Sequence, residues 1–560
     1  MCLVEGCGTK SPRTNNSGDS QPDSVSPARL HLTGVLMWKG DVSGAGLFSH
    51  ETVLNPQNVN PEQFGRIADF KVDGSVIAQP LFVSGLQVSG SVHDVVIVAT
   101  EHDSVYAFDA SGASKAPLWE RHFAINGITP APDNFGGRTT LGGEVGITGT
   151  PVIDSDTGAM YFVTTQQSNG AVEQYLRAID VSNGKDFGPG SVQIQATYTG
   201  DGQGSQNGQI AFDPAMQNQR AGLVLAGSNV LLAWGAFSDW GVYHGWFMAY
   251  DKSKLTQVAV LNTANQYQAI DNADGPADHG GGAAIWQGGA PPTLDSDGDI
   301  YVIGADGSFN ADQGGTNYGD SVLRLKLAGK RFHVLDWFTP ANQACVDQAD
   351  LEIGSGGLVI LPPDATPGQK SGIAVSKEGR LYLLALDRLG KYSPSGDVQI
   401  PQQFMIGSQE CSPGIGSAFA EGPDWQRLYG NPAYWNGRLY LAASNAPLRQ
   451  FRFSGQKLLT VPEAQSPTSY GLRGGNVIVT SNGQSGAVLW AYEKNADGHA
   501  LLHAYDATSV AKELWNSDLS HERDGMDTGE GFAVPVPAKG RIIAVQHNAV
   551  CVYGLLARPH

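Results

Sequence analysis

The chain contains no apolar run of about 18 residues or more, which excludes a membrane-spanning helix of ordinary length. Its first residues, MCLVEGCGTKSPRTNNSGDSQPDS, lack an apolar core of signal-peptide length. The expectation is a protein that stays inside the cell or one whose signal has been removed. Basic residues are scarce: 35 Lys and Arg stand against 54 Asp and Glu, for a net charge of −19. Such a balance argues against nucleic acid or an anionic membrane surface as partner and says little about a small neutral substrate, which is the partner expected on other grounds below. Cysteine is also sparse. Cys2 and Cys7 belong to the tail, and Cys345, Cys411 and Cys551 are too widely spaced for a disulfide framework. Cys345 and Cys411 are a candidate pair between adjacent repeats. HExxH, GxSxG and Walker patterns are missing, and amphipathic helix patterns are nearly so.

What the chain has is glycine, 72 residues of it, and short strands. Asp94 to Trp119 (DVVIVATEHDSVYAFDASGASKAPLW) reads as two strands, a turn and the start of a third. A hairpin of this kind cannot bury both faces alone and needs stacked copies. Similar runs follow at Met160–Asp180, Asp299–Leu327, Gly379–Asp387, Gly437–Phe453, Gly486–Asp506 and Arg541–Tyr553. Regular short strands with aromatic and β-branched residues and Gly-rich turns predict an all-β, radially repeated sheet, a β-propeller. Eight blades are expected, seven if one segment is an insertion. They occupy residues 28–556, behind a disordered tail at 1–27. Phe64 to Val72 is expected to complete the last blade and close the ring, removing two sheet edges. Long segments at 125–147, 200–219, 262–290, 340–354 and 516–530 are expected to roof one face of the disc.

The motif seen in VYAFDASGASKAPLW (Val105–Trp119), LRAIDVSNGK (Leu176–Lys185) and LHAYDATSVAKELW (Leu502–Trp515), with the lead-in from Glu51 to Val83, resembles the quinoprotein dehydrogenase-like propeller superfamily. The resemblance spans roughly residues 50 to 556. It implies a propeller whose dehydrogenase members hold pyrroloquinoline quinone with calcium on the ring axis, over a tryptophan floor and often beneath a disulfide of adjacent cysteines. Such relatives are often secreted or periplasmic. This chain has no adjacent cysteine pair and no CxxCH haem site. Other relatives are cofactor-free scaffolds of membrane-protein assembly.

In a propeller, residues at the loop ends of the inner strands face the funnel. Glu101, His102, Glu144, Glu378 and His547 fall near such positions, and His279 lies in the Gly-rich segment ADHGGGAAIWQGG. These six are the candidate acids and bases, since converging His and carboxylate groups can move protons. Trp286, Gln287, Asp239, Trp240, Asp306, Asn445 and Glu493 are the candidate substrate contacts. Asp103, Gln166, Gln167, His244, Glu352, Lys377 and Gln546 fall at comparable places. No metal site is expected from spacing: DSDGD (Asp295–Asp299) lacks the length and terminal Glu of an EF-hand and reads as a turn, as does DSDTG (Asp154–Gly158). The expectation from residues alone is a cofactor-independent enzyme, an isomerase, lyase or hydrolase working by His and carboxylates. The resemblance offers a quinone- and calcium-dependent alcohol or sugar dehydrogenase instead, and a non-catalytic scaffold is the third reading.

Overall fold

The computed structural model describes residues 29–133, 143–237, 239, 241–268, 280–407, 410–412 and 425–557. The expected tail at 1–27, with Cys2 and Cys7, lies outside the described residues. Antiparallel sheets follow one another along the chain. They form blades at 81–122, 152–193, 224–262, 293–338, 359–405, 433–469 and 475–516. An eighth combines Val536–Pro537, Arg541–Gln546 and Ala549–Leu555 with Phe64–Lys71 from the other end of the chain. The eight-bladed propeller and its closure by the N-terminal strand are therefore as the sequence predicts. In the closing pair Phe64 lies opposite Leu555 and Lys71 opposite Ala549. Blades 6 and 7 touch edge to edge through the Ala442–Gly475 pair.

The reason for closure is visible in the packing. Phe64 is fully buried, with its ring 5.3 Å from Trp490, 5.0 Å from Trp515 and 6.5 Å from Tyr553. One N-terminal aromatic thus fills the seam between blades 7 and 8. Blade 3 is centred in the same way on Trp234 and Trp246, both edge-on to Phe212. The two aspartate-rich turns are local devices: Asp295 Oδ1 accepts from the backbone N–H of Asp297 and Asp299, each at 2.9 Å, and Asp154 Oδ1 accepts from that of Asp156.

Antiparallel alternation sorts the connections onto two ends of the disc. Turns between first and second strands, and between third and fourth, share one end. The loops between second and third strands, and the segments leading into each blade, share the other. The lead-in at 33–50 crosses the first end. It supplies backbone acceptors to Ile153, Leu294, Ile360, Tyr434 and Val479 in or beside the innermost strands of five blades. At its middle the Lys39 side chain is buried on the axis, with Nζ donating to Asn431 O at 2.8 Å. Among the described residues no helix is long and apolar enough to cross a membrane.

Candidate active site in the axial funnel

At the opposite end, the segments that lead into successive blades converge. Trp286 precedes blade 4, Glu352 precedes blade 5, Tyr429 precedes blade 6 and Phe532 precedes blade 8. Trp286 Nε1 donates to Glu352 Oε1 at 3.2 Å, and the Phe532 ring stands edge-on to Trp286 at 5.8 Å. Tyr429 lies 5.7 Å from Phe532. Three cations surround this aromatic patch. Lys377 Nζ sits 5.3 Å from the Trp286 ring centre. The Arg473 guanidinium lies 5.6 Å from both Tyr429 and Phe532, and that of Arg220 5.8 Å from Phe532. Arg220 is buried, with Nη2 donating to Gly288 O at 3.3 Å, and burial lowers its pKa to about 10 against the pull of the Glu101 and Glu530 carboxylates. Its fork is therefore a desolvated cation with donors to spare.

Carboxylates gather beside the patch. Oxygens of Asp306, Asp350 and Glu352 all lie within 4.8 Å of one another. Lys377 Nζ reaches Glu352 Oε1 at 2.9 Å and also pairs with Asp350. Glu352 is fully buried, and its second oxygen has no hydrogen-bond partner. Burial pushes its pKa up to about 7, against the pull of Lys377. Asp306 is driven well above the ordinary carboxylate range, first by burial and then by repulsion from Asp239, Glu352, Asp350 and Asp347. Asp347, whose Oδ1 accepts from Gly307 N–H at 2.6 Å, is raised by burial to about 6. Like charges crowded in a dry site hold protons until a cation replaces them.

The remaining predicted residues divide into local groups. His102 Nδ1 is 2.9 Å from Glu144 Oε2, and both are partly exposed. His547 Nδ1 is 2.8 Å from Glu530 and 2.9 Å from Ser75 Oγ. Glu101 is buried, with Oε2 accepting from Gly146 N–H at 2.7 Å and Thr148 Oγ1 at 3.0 Å, and burial lifts its pKa to about 8. Gln287 is structural: its Oε1 accepts from Ile303 N–H at 2.8 Å and its Nε2 donates to Ala290 O. Glu378 pairs with Arg380 at 3.0 Å, inside the protein. Glu493 is held in blade 7 by His503 at 3.1 Å and Gly471 N–H at 2.7 Å. Asn445 adopts a left-handed turn conformation, φ 54°, and donates to Trp425 O. His244 is buried with its ring nitrogens facing Ala264 O and Gln203 O. Asp239 is exposed, and its charge reaches Asp306. His279 and Trp240 lie outside the described residues.

Trp286 and Asp306 thus meet at the centre, whereas the His–carboxylate groups form separate pairs. Arg220, Asp350, Tyr429, Arg473 and Phe532 are functional candidates that the sequence reading passes over. A positional signal for three of them exists. Arg220, Tyr429 and Phe532 each stand four residues before an innermost strand, at Val224, Ala433 and Val536. Trp286 and Glu352 each stand seven before theirs, at Thr293 and Val359.

The sequence matches no family model and no curated protein sequence. Solved structures do match. The quinohemoprotein alcohol dehydrogenase ADHIIG from Pseudomonas putida HK5 aligns at a TM-score of 0.60 and 14% identity, over 94% of this chain and 82% of that one. The quinohemoprotein alcohol dehydrogenase from Comamonas testosteroni aligns at 0.55 and 15% identity, over 95% and 82%. A europium-containing methanol dehydrogenase aligns at 0.54 and 14% identity, over 95% and 99%. These findings overturn the expectation of a cofactor-free enzyme driven by His and carboxylates. The shared fold is that of quinoprotein alcohol dehydrogenases. His102 and His547, expected to converge, are instead tied into separate pairs with Glu144 and Glu530. By its fold, the chain is an eight-bladed β-propeller similar to those of the quinoprotein alcohol dehydrogenases.

Proposed function

We propose that this chain is a quinone-dependent dehydrogenase that oxidises a small alcohol or sugar in the axial funnel. The observation that carries the reading is the junction of three carboxylates with a cation-flanked tryptophan on the axis of this fold. The residues fit the group. A flat quinone needs an aromatic face, and Trp286 is only partly covered. Its carboxylates need cations: the buried Lys377 lies over the Trp286 ring, and the buried Arg220 and exposed Arg473 lie over Phe532 beside it. A calcium ion needs oxygen ligands, and Asp306, Asp350 and the unpartnered Glu352 Oε2 supply them. When bound, the quinone supplies the two-electron acceptor that no side chain here can provide.

The chain's own residues do the rest. Arg220 and Arg473 orient the anionic edge, and Trp286 with Phe532 excludes water from one side. Glu352, with a pKa near 7, is poised to give up its own proton and present Oε2 to the cation. Lys377 holds Glu352 by its other oxygen and keeps Asp350 beside it. The Cys345–Cys411 disulfide is in keeping with an oxidising compartment. The test is a dye-reduction assay on protein loaded with pyrroloquinoline quinone and calcium, across a panel of primary alcohols and aldoses. Turnover that needs both additions is expected. Loaded protein that reduces no dye with any of them would overturn the reading.

A further inference from the structure

Two of the three funnel carboxylates do not belong to a blade. Asp350 and Glu352 lie on an excursion that leaves blade 4 at Phe338 and joins blade 5 at Val359, between a short α-helix, Gln343–Gln348, and a 3-10 turn, Ile353–Ser355. Among the described residues its helix is anchored in an apolar cluster of Val346, Ala349, Leu351 and Trp425, with Cys411 packed against it, whereas Ile353 beyond Glu352 packs in the core shared by blades 4 and 5. So small a cluster secures a segment weakly. A covalent tie adds to it: Cys345, on the helix, is bonded to Cys411, 66 residues further on.

The tie is wired to the site. Cys411 N–H donates to Glu378 Oε1 at 2.8 Å, and Asn342 Nδ2 donates to the same oxygen at 3.0 Å. Glu378 is buried and paired with Arg380. Its chain neighbour Lys377 turns the other way and places its amine on Glu352 and Asp350. One dipeptide therefore grips the disulfide loop with Glu378 and the carboxylates with Lys377. The predicted catalytic role of Glu378 gives way to a positioning one.

We infer that the Cys345–Cys411 disulfide is a strap that positions Asp350 beside the blade-held Glu352 for a cation, so that opening it weakens cation binding while the blades stay folded. The inference rests on the cation reading of the proposed function. Opening is a balanced exchange. A dithiol reductant gives two electrons and two protons, the S–S bond breaks to two thiols, and the dithiol closes to its own disulfide. Glu352 stays tied to blade 5 without it, since Lys377 N–H donates to Glu352 O at 3.0 Å and Glu378 N–H to Leu351 O at 3.2 Å. The helix that leads into Asp350 keeps the hydrogen bonds from Gly307 N–H to Asp347 and from Gln343 to Asp320, and loses its covalent tie.

The experiment uses terbium(III) luminescence sensitised by tryptophan, on the full chain, oxidised and after dithiothreitol. Cys345→Ser/Cys411→Ser, Glu378→Gln and Glu352→Gln accompany it. Terbium affinity is expected to fall at least about tenfold on reduction and in the double serine variant, the scale seen when groups supporting metal ligands are lost. Reoxidation restores it, Glu378→Gln weakens it less, and the β-sheet circular dichroism is unchanged throughout. Equal affinity in oxidised and reduced protein, with Glu352→Gln still weakened, would remove the strap and leave the cation site standing. Terbium binding that ignores Glu352→Gln would remove the site and the strap together. Loss of the β-sheet signal on reduction would make the disulfide a staple of the whole fold and also overturn the inference.

Discussion

Lys39→Met is expected to stabilise the protein, and by an amount that depends on pH. Lys39 lies on the axis at the end opposite the funnel, 1% exposed, and burial lowers its pKa from 10.5 to about 7. Its Nζ has the Asn431 carbonyl at 2.8 Å and the Trp38 ring at 5.0 Å, and no carboxylate ion pair among the described residues. At about 1.4 kcal/mol per pH unit, the charged amine costs about 5 kcal/mol below pH 6. The sign follows from proton counting. Between the folded and unfolded values the unfolded chain binds the extra proton, so wild-type stability rises with pH across the window from about 7 to 10.5. By pH 9 the residual cost is about 2 kcal/mol. Methionine keeps an unbranched side chain at this left-handed position, φ 49°, and gives up one hydrogen bond of about 1 kcal/mol. The variant should therefore gain about 4 kcal/mol at pH 6 and about 1 kcal/mol at pH 9. Urea unfolding of both proteins at the two pH values reads this directly. Parallel pH profiles for wild type and variant would refute the reasoning.

Three further outcomes follow from the same structure. Phe64→Ala should cost about 3–5 kcal/mol, because it empties the seam between Trp490, Trp515 and Tyr553, and thermal unfolding would register it as a lower midpoint. Arg380→Ala leaves Glu378 buried without its cation and should cost about 3–5 kcal/mol in chemical denaturation, whereas removing both charges should recover part of the loss. Calcium affinity should rise with pH through about 7, since Glu352 must lose its proton to become a ligand. Calorimetry at pH 6 and pH 8 should show at least about tenfold tighter binding at the higher value, with proton release, and a flat profile would exclude Glu352 as a ligand.

The repeat architecture was readable because its signal is local. Each blade carries its own alternating strands and turn residues, and Phe64 to Val72 stood apart as a strand with no neighbours in sequence, which is why ring closure could be inferred. The site was less readable because it is assembled from segments far apart in sequence. Asp306 and Trp286 were found as polar or aromatic residues at loop ends. The same rule also picked Glu378, Gln287 and Glu493, whose side chains turn inward to Arg380, Ile303 and His503. Loop position says that a residue is at the right end of the disc and not which way it faces. Arg220, Tyr429 and Phe532 were missed because single residues in irregular pre-blade segments carry no periodicity. Their common offset before the inner strands becomes visible only once those strands are placed. The disulfide is only a candidate in the sequence, because a separation of 66 residues gives no geometric constraint until Cys345, on the excursion before blade 5, is seen bonded to Cys411.

Native mass spectrometry of the intact chain with pyrroloquinoline quinone, with and without calcium, tests the central claim most directly. The account predicts one quinone and one calcium per chain, quinone binding that weakens when calcium is withheld, and loss of the quinone adduct in Trp286→Ala with the fold retained. A wild-type chain that takes up no quinone at any calcium concentration, or a Trp286→Ala variant that takes it up as well as wild type, would contradict it.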